Sequence, residues 1–154
     1  MTARVAVGVL IIAVTLGGCA LRDSEPSDPP PRVQSLWLAR TDYVGDNSRA
    51  AELAHQAGFG PAGSYRISLQ TQQAPYAVTV DFDHLDKPFG QVDFSANATL
   101  LLGLVANLDT VSVTSGDHSY SLTASDASTA LGYDVKVLGR DKTKLATYLD
   151  LARD

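Results

Sequence analysis

Residues 94–108 read FSANATLLLGLVANL, and no charge interrupts the run from Phe94 until Asp109. Leu100, Leu101, Leu102, Leu104, Val105 and Leu108 fall on nearly every side of a helix drawn through them. A helix that is apolar all round is a buried one. The run is also shorter than the roughly 20 residues needed to cross a bilayer. It therefore predicts a central helix, and the segments on either side must supply its cover.

On the N-terminal side, Tyr65, Ile67 and Leu69 alternate with Arg66, Ser68 and Gln70; Tyr76, Val78, Val80 and Phe82 alternate with Ala77, Thr79, Asp81 and Asp83. A period of two marks half-buried strands, and the loop 71–75 between them suits a hairpin. On the C-terminal side, Val111 and Val113, the turn Ser115-Gly116-Asp117, and then His118, Tyr120 and Leu122 give a second hairpin. Helices complete the order. Asp46 or Asn47 is a natural N-cap for a helix that Gly58 and Gly60 stop. Ser125 can open a short helix ending at Gly132, and Asp141 the last one, with Leu145, Tyr148, Leu149 and Ala152 on one stripe. The expected fold is α+β: a four-stranded antiparallel sheet of two hairpins with helices packed on one face. Its other face is rich in hydroxyls, among them Ser68, Thr79, Ser112 and Ser121, with Arg66 and Asp81. That face reads as a solvated surface or as a platform for a ligand or partner.

The chain has 154 residues, enough for one ordinary domain. A net charge of −5 and no basic stripe argue against nucleic-acid binding. A single cysteine excludes an internal disulfide, and no Cys/His set has zinc-ligand spacing.

Upstream, Val5 to Leu16 is an uncharged apolar run behind Arg4. Its length fits the core of an export signal and falls short of a spanning helix. It closes on Leu16-Gly17-Gly18-Cys19, which resembles the bacterial lipobox. The resemblance implies that residues 1–18 are a cleaved signal peptide and that Cys19 carries diacylglycerol and acyl groups of the palmitate kind. Each buried CH₂ contributes about 0.8 kcal/mol, so two or three chains make a stable anchor. The alternatives are an ordinary secreted protein with a cysteine at that place, or a short N-terminal anchor. Residues 19–32, with Pro26, Pro29, Pro30 and Pro31, are expected to form an extended linker, or else a docking ligand. Residues 33–154 then form a single α+β domain facing outside the cytoplasm. Its acidic balance holds it off an anionic leaflet.

Three segments taken together are distinctive: LWLARTDYVGDNS at 36–48; Leu69-Gln70-Thr71 before Pro75-Tyr76; and Leu100-Leu101-Leu102 leading to Asn107-Leu108-Asp109. In this order they resemble a bacterial envelope family, domain of unknown function 4825, over roughly Leu36 to Leu151. The resemblance implies a lipoprotein, or the extracytoplasmic part of a metallopeptidase-type membrane sensor. The chain has no HExxH motif, so that activity does not carry over. The family has no agreed reaction, and no catalytic residue is transferred. No cofactor is implied beyond the acyl groups on Cys19. The first segment also has a purely structural reading: Gly45 for a tight turn, Asp46 and Asn47 as caps, Tyr43 and Val44 as a hydrophobic staple. Alternatively Arg40, Asp42, Tyr43, Asp46 and Asn47 line a recognition surface.

The nearest approach to a metal site is Asp81, Asp83, His84 and Asp86. It fails the calcium-loop pattern, because Asp86 stands where Gly is needed and Val92 where Glu is needed. Residues 58–63 spell GxGxxG, but they follow a helix and precede a strand, the reverse of a dinucleotide-binding turn. His55, His84 and His118 read as surface or capping residues, and Asn97-Ala98-Thr99 as a sequon without meaning in a buried helix of a bacterial protein. The leading expectation is a membrane-anchored, non-enzymatic binding, sensing or protein-interaction domain. Its partners are the bilayer, through the anchor, and an envelope protein. The alternative is a small cell-envelope hydrolase or metal-dependent enzyme using the Asp81–Asp86 loop or His118.

Overall fold

The computed structural model describes residues 32–152, so the expected signal peptide, the Cys19 anchor and the linker up to residue 31 lie outside the described residues. In chain order the elements are α1 (Arg32–Ala39), α2 (Asn47–Ala54), β1 (Gly63–Gln70), β2 (Ala77–Leu85), α3 (Ser95–Leu104), β3 (Thr110–Ser115), β4 (His118–Thr123), α4 (Ala124–Leu131), α5 (Val137–Arg140) and α6 (Lys142–Leu151). Among the described residues no helix is long and apolar enough to cross a membrane.

As the apolar run requires, α3 is central: every residue from Ala98 to Leu104 is buried. The sheet lies on one side of it, with α2, α4 and α5 on the others. The helix stops at Leu104 rather than continuing to Leu108, because Val105 turns extended and bridges Thr41. The Thr41 N–H donates to the Leu104 carbonyl at 3.0 Å, and the Ala106 N–H to the Thr41 carbonyl at 3.0 Å. A tertiary partner thus ends a helix that its own sequence would have extended.

The sheet order is β1-β2-β3-β4. Both hairpins are antiparallel as expected, but β2 and β3 run parallel, with Ala77 opposite Thr110 and Val80 opposite Val113. The sheet is therefore mixed, which corrects the all-antiparallel expectation. The reason is the helix between the hairpins. It carries the chain back to the end of the sheet where β2 began, and neighbouring strands joined by such a crossover are parallel.

Alternation then sorts the side chains. One inner row runs Ile67, Val80, Val113, Tyr120, and the outer row beside it runs Ser68, Thr79, Ser112, Ser121. The inner end towards Gly63 is aromatic: Phe59, Tyr65, Phe82 and Phe94 have ring centroids 5.5 to 6.4 Å apart.

Two helices, α1 and α5, were not expected from the pattern, being short and partly irregular in their apolar spacing. Asp141 caps α6 as expected, accepting from the Thr143 and Lys144 amides at 2.8 and 3.2 Å. The cap of α4 is Thr123 rather than Ser125, because β4 runs straight into the helix; its hydroxyl accepts the Asp126 N–H at 3.1 Å. Between α3 and α5 the backbones nearly touch, since a Cβ on Gly139 would lie 2.5 Å from the Gly103 carbonyl oxygen. Just before α5, the Lys136 ammonium donates to the carbonyls of Leu102, Val105 and Leu108 at 2.7, 3.0 and 2.5 Å. Leu102 is among the last carbonyls of α3, which have no helical partner, and Val105 and Leu108 follow the helix end.

Candidate functional site

The residues put forward as a recognition surface form a shoulder between α1 and α2. Val44 is buried, and its N–H donates to the Asn107 side-chain oxygen at 2.7 Å. Asp46 caps α2, accepting the Arg49 N–H at 3.3 Å, and its carboxylate also pairs with the Arg49 side chain at 3.4 Å. Asn47 is the first helical residue and exposed, so of the two proposed caps Asp46 is the one used. Gly45 has no positive φ, so the turn does not depend on glycine. Tyr43 does not staple anything: it is 70% exposed. Arg40 lies 4.0 Å over the Trp37 ring and donates to the Trp37 carbonyl, while Asp42 sits exposed between these groups.

Two alanine substitutions separate the cap from its neighbour. Asp46→Ala should lower stability by about 1 kcal/mol in urea denaturation, whereas Asn47→Ala should change it little. Equal losses from the two would make Asn47 a cap as well.

The same region ties together the separate segments that made the sequence distinctive. Asn107 holds Val44, and the Asp109 carboxylate accepts the Tyr76 N–H at 2.8 Å. These residues act as latches between distant loops.

The Asp81–Asp86 group does not converge. Asp81 accepts the Thr114 hydroxyl at 2.6 Å on the outer sheet face, Asp83 pairs with Arg66, and the His84 ring lies 3.8 Å from Asp86. Among the described residues no group of three or more His, Cys, Asp or Glu is placed to hold a metal ion. His118 stacks on Phe89 at 5.5 Å and is exposed.

A second feature was missed by the sequence reading. Beyond the C-terminal end of α2 the chain kinks within His55–Phe59, where Gly58 adopts φ 117°. The chain then makes a tight turn over Gly60–Ala62 and enters β1. This is the GxGxxG stretch, and it walls a cleft of about 280 Å³ against the end of β2 and the start of α3. Pro61, Ala62 and Val92 form the apolar wall; Asp86, Gln91, Asp93 and Asn97 bring polar groups to it, with Lys87 beside them. Asp93 accepts the Ser95 N–H at 2.8 Å, and its hydrogen bonds with Ser95 hold its carboxyl below the usual range. Asn97 packs against Gly58, where a Cβ would come within 3.0 Å of its side-chain oxygen. The available signal was Asn97 itself, a carboxamide inside an uncharged helix.

No curated protein and no solved structure matches the chain. A family model does match, described as a domain of unknown function, DUF4825, over residues 36–125. That span begins in α1 and takes in the shoulder, the cleft, α3 and all four strands. The chain belongs to the DUF4825 family.

Proposed function

We propose that this protein is a lipid-anchored, extracytoplasmic binding module of the bacterial envelope, acting without chemistry of its own, and that the α1–α2 shoulder receives a protein partner. Anchoring is supported by Leu16-Gly17-Gly18-Cys19 at the end of a short apolar run. Cys19 is the lipidated residue, and the proline-bearing stretch before α1 sets the domain's distance from the bilayer. The observation that carries the binding reading is the pairing of Leu38, 60% exposed, with Tyr43, 70% exposed, around one shallow depression that Arg40 and Arg49 also line. Tyrosine and arginine are among the residues enriched at interfaces and their hot spots. Asp46 holds this shoulder in place by capping α2.

Two experiments test the reading separately. Intact mass of the membrane-extracted protein should show an acylated N-terminus at Cys19, and Cys19→Ser should abolish membrane retention. An unacylated N-terminus at any other residue overturns the anchor. Crosslinking in the native membrane should recover one stoichiometric envelope protein, lost in a Leu38→Ser, Tyr43→Ser double variant. Recovery unchanged by that variant removes the shoulder from the binding reading.

A further inference from the structure

We infer that the cleft between the Gly58 kink and the start of α3 is a binding site for a neutral polyhydroxylated ligand the size of one sugar ring. This goes beyond the partner shoulder and does not depend on it. The two features lie at opposite ends of the same helices: Asp46 starts α2 at the shoulder and Gly58 follows its end at the cleft, while α3 begins at the cleft and ends beside Thr41.

Three departures from regular structure lie at or beside it. The helical run after α2 breaks at Gly58, which takes φ 117°. The β1–β2 ladder shifts register between Ser64 and Tyr65, a bulge of the kind that re-aims side chains beside active sites. Asn97 occupies an early position of α3, where alanine is the better helix former, yet its side chain makes no hydrogen bond to any described residue. Local rules broken without structural return collect at sites kept for something else.

The donor set decides the ligand class. Asp86 and Asp93 only accept, Lys87 only donates, and the Gln91 and Asn97 carboxamides do both. A hydroxyl offers one proton and two lone pairs, so adjacent hydroxyls on a ring satisfy such a mixed set without bringing charge. Pro61, Ala62 and Val92 present a surface for the ring's C–H face. Two carboxylates against one ammonium disfavour an anion. The volume, about 280 Å³, falls just below the roughly 300–1,000 Å³ range of pockets for drug-sized ligands, which suits a single ring.

The test uses the mature chain, labelled with nitrogen-15, titrated separately with methyl α-glucoside, methyl N-acetylglucosaminide and inositol. At least one should shift the side-chain NH₂ signals of Asn97 and Gln91 and the Gly58 amide, leaving Tyr43 and Val44 still. Asn97→Ala should weaken that response roughly tenfold. Its thermal midpoint should not fall, because alanine favours the helix. Gln91→Ala, at an exposed position, provides an independent second variant. No shift with any of the three probes overturns the proposal, as do shifts that survive both substitutions. Cadaverine moving the same signals while the neutral probes do not makes this a cation site and overturns the polyol assignment.

Discussion

Gly63→Ala should cost the domain about 4 kcal/mol, most of the stability margin of a small domain at the low end of the usual range. Gly63 has φ 153° and ψ −168°, a conformation that only glycine adopts without strain. An added Cβ would lie 2.1 Å from the His84 carbonyl oxygen and 3.0 Å from the Leu85 Cα, both backbone atoms that cannot swing aside. Backbone strain of about 1–3 kcal/mol and overpacking of about 1–3 kcal/mol act together here. Gly90 supplies the control, since nothing lies within 4 Å of a Cβ built there and Gly90→Ala should be near neutral. Urea denaturation of the two variants checks the contrast; a Gly63→Ala loss below about 1 kcal/mol would contradict the geometry.

Lys136→Met should lower stability at pH 7 by about 2 kcal/mol, since it leaves the carbonyls of Leu102, Val105 and Leu108 without their shared donor. The loss is smaller than three full hydrogen bonds because the wild type bears the cost of burying an ammonium. That cost has its own signature. Burial lowers the Lys136 pKa from its ordinary 10.5 to about 8, against the pull of Asp109 and Asp134, with Arg140 adding to the depression. Between pH 8 and 10.5 the folded protein has released this proton while the unfolded chain still holds it. Stability therefore rises with pH across that window, and the burial cost is fully present below it. The shift corresponds to about 3 kcal/mol at full value, and to roughly half that once screening of a partly exposed group is allowed for. Denaturation midpoints from pH 7 to 10.5 should show the rise in the wild type and its absence in Lys136→Met. A parallel pair of profiles would mean that Lys136 does not titrate in the window.

Much of this architecture was legible in the chain because its signals are local. The alternation in 65–69, 78–82 and 111–122 marks the inner face correctly, and the all-round apolarity of 98–104 marks the central helix. The parallel β2–β3 pairing was not read because alternation carries no strand direction; direction follows from the crossover geometry of α3. Neither could spacing show that α3 ends at Leu104, since Thr41, a distant residue, ends it. At the shoulder the sequence indicated the cap at Asp46 but not the solvent exposure of Tyr43, which depends on what fails to pack against it. The cleft escaped because its polar groups come from the turn after α2, the end of β2 and the start of α3, each unremarkable in its own segment.

The parallel seam also sets the order in which the domain assembles. Each hairpin pairs strands that are close neighbours in the chain. Joining β2 to β3 is another matter, since the chain must first close over everything between them, α3 included. The rate-limiting step should therefore be the docking of the two hairpins across a formed α3. Truncations at Val80, Leu101 and Val113 would then slow refolding, while changes at the Gly116 turn would act chiefly on unfolding. Until that seam closes, the facing edges of β2 and β3 stand open.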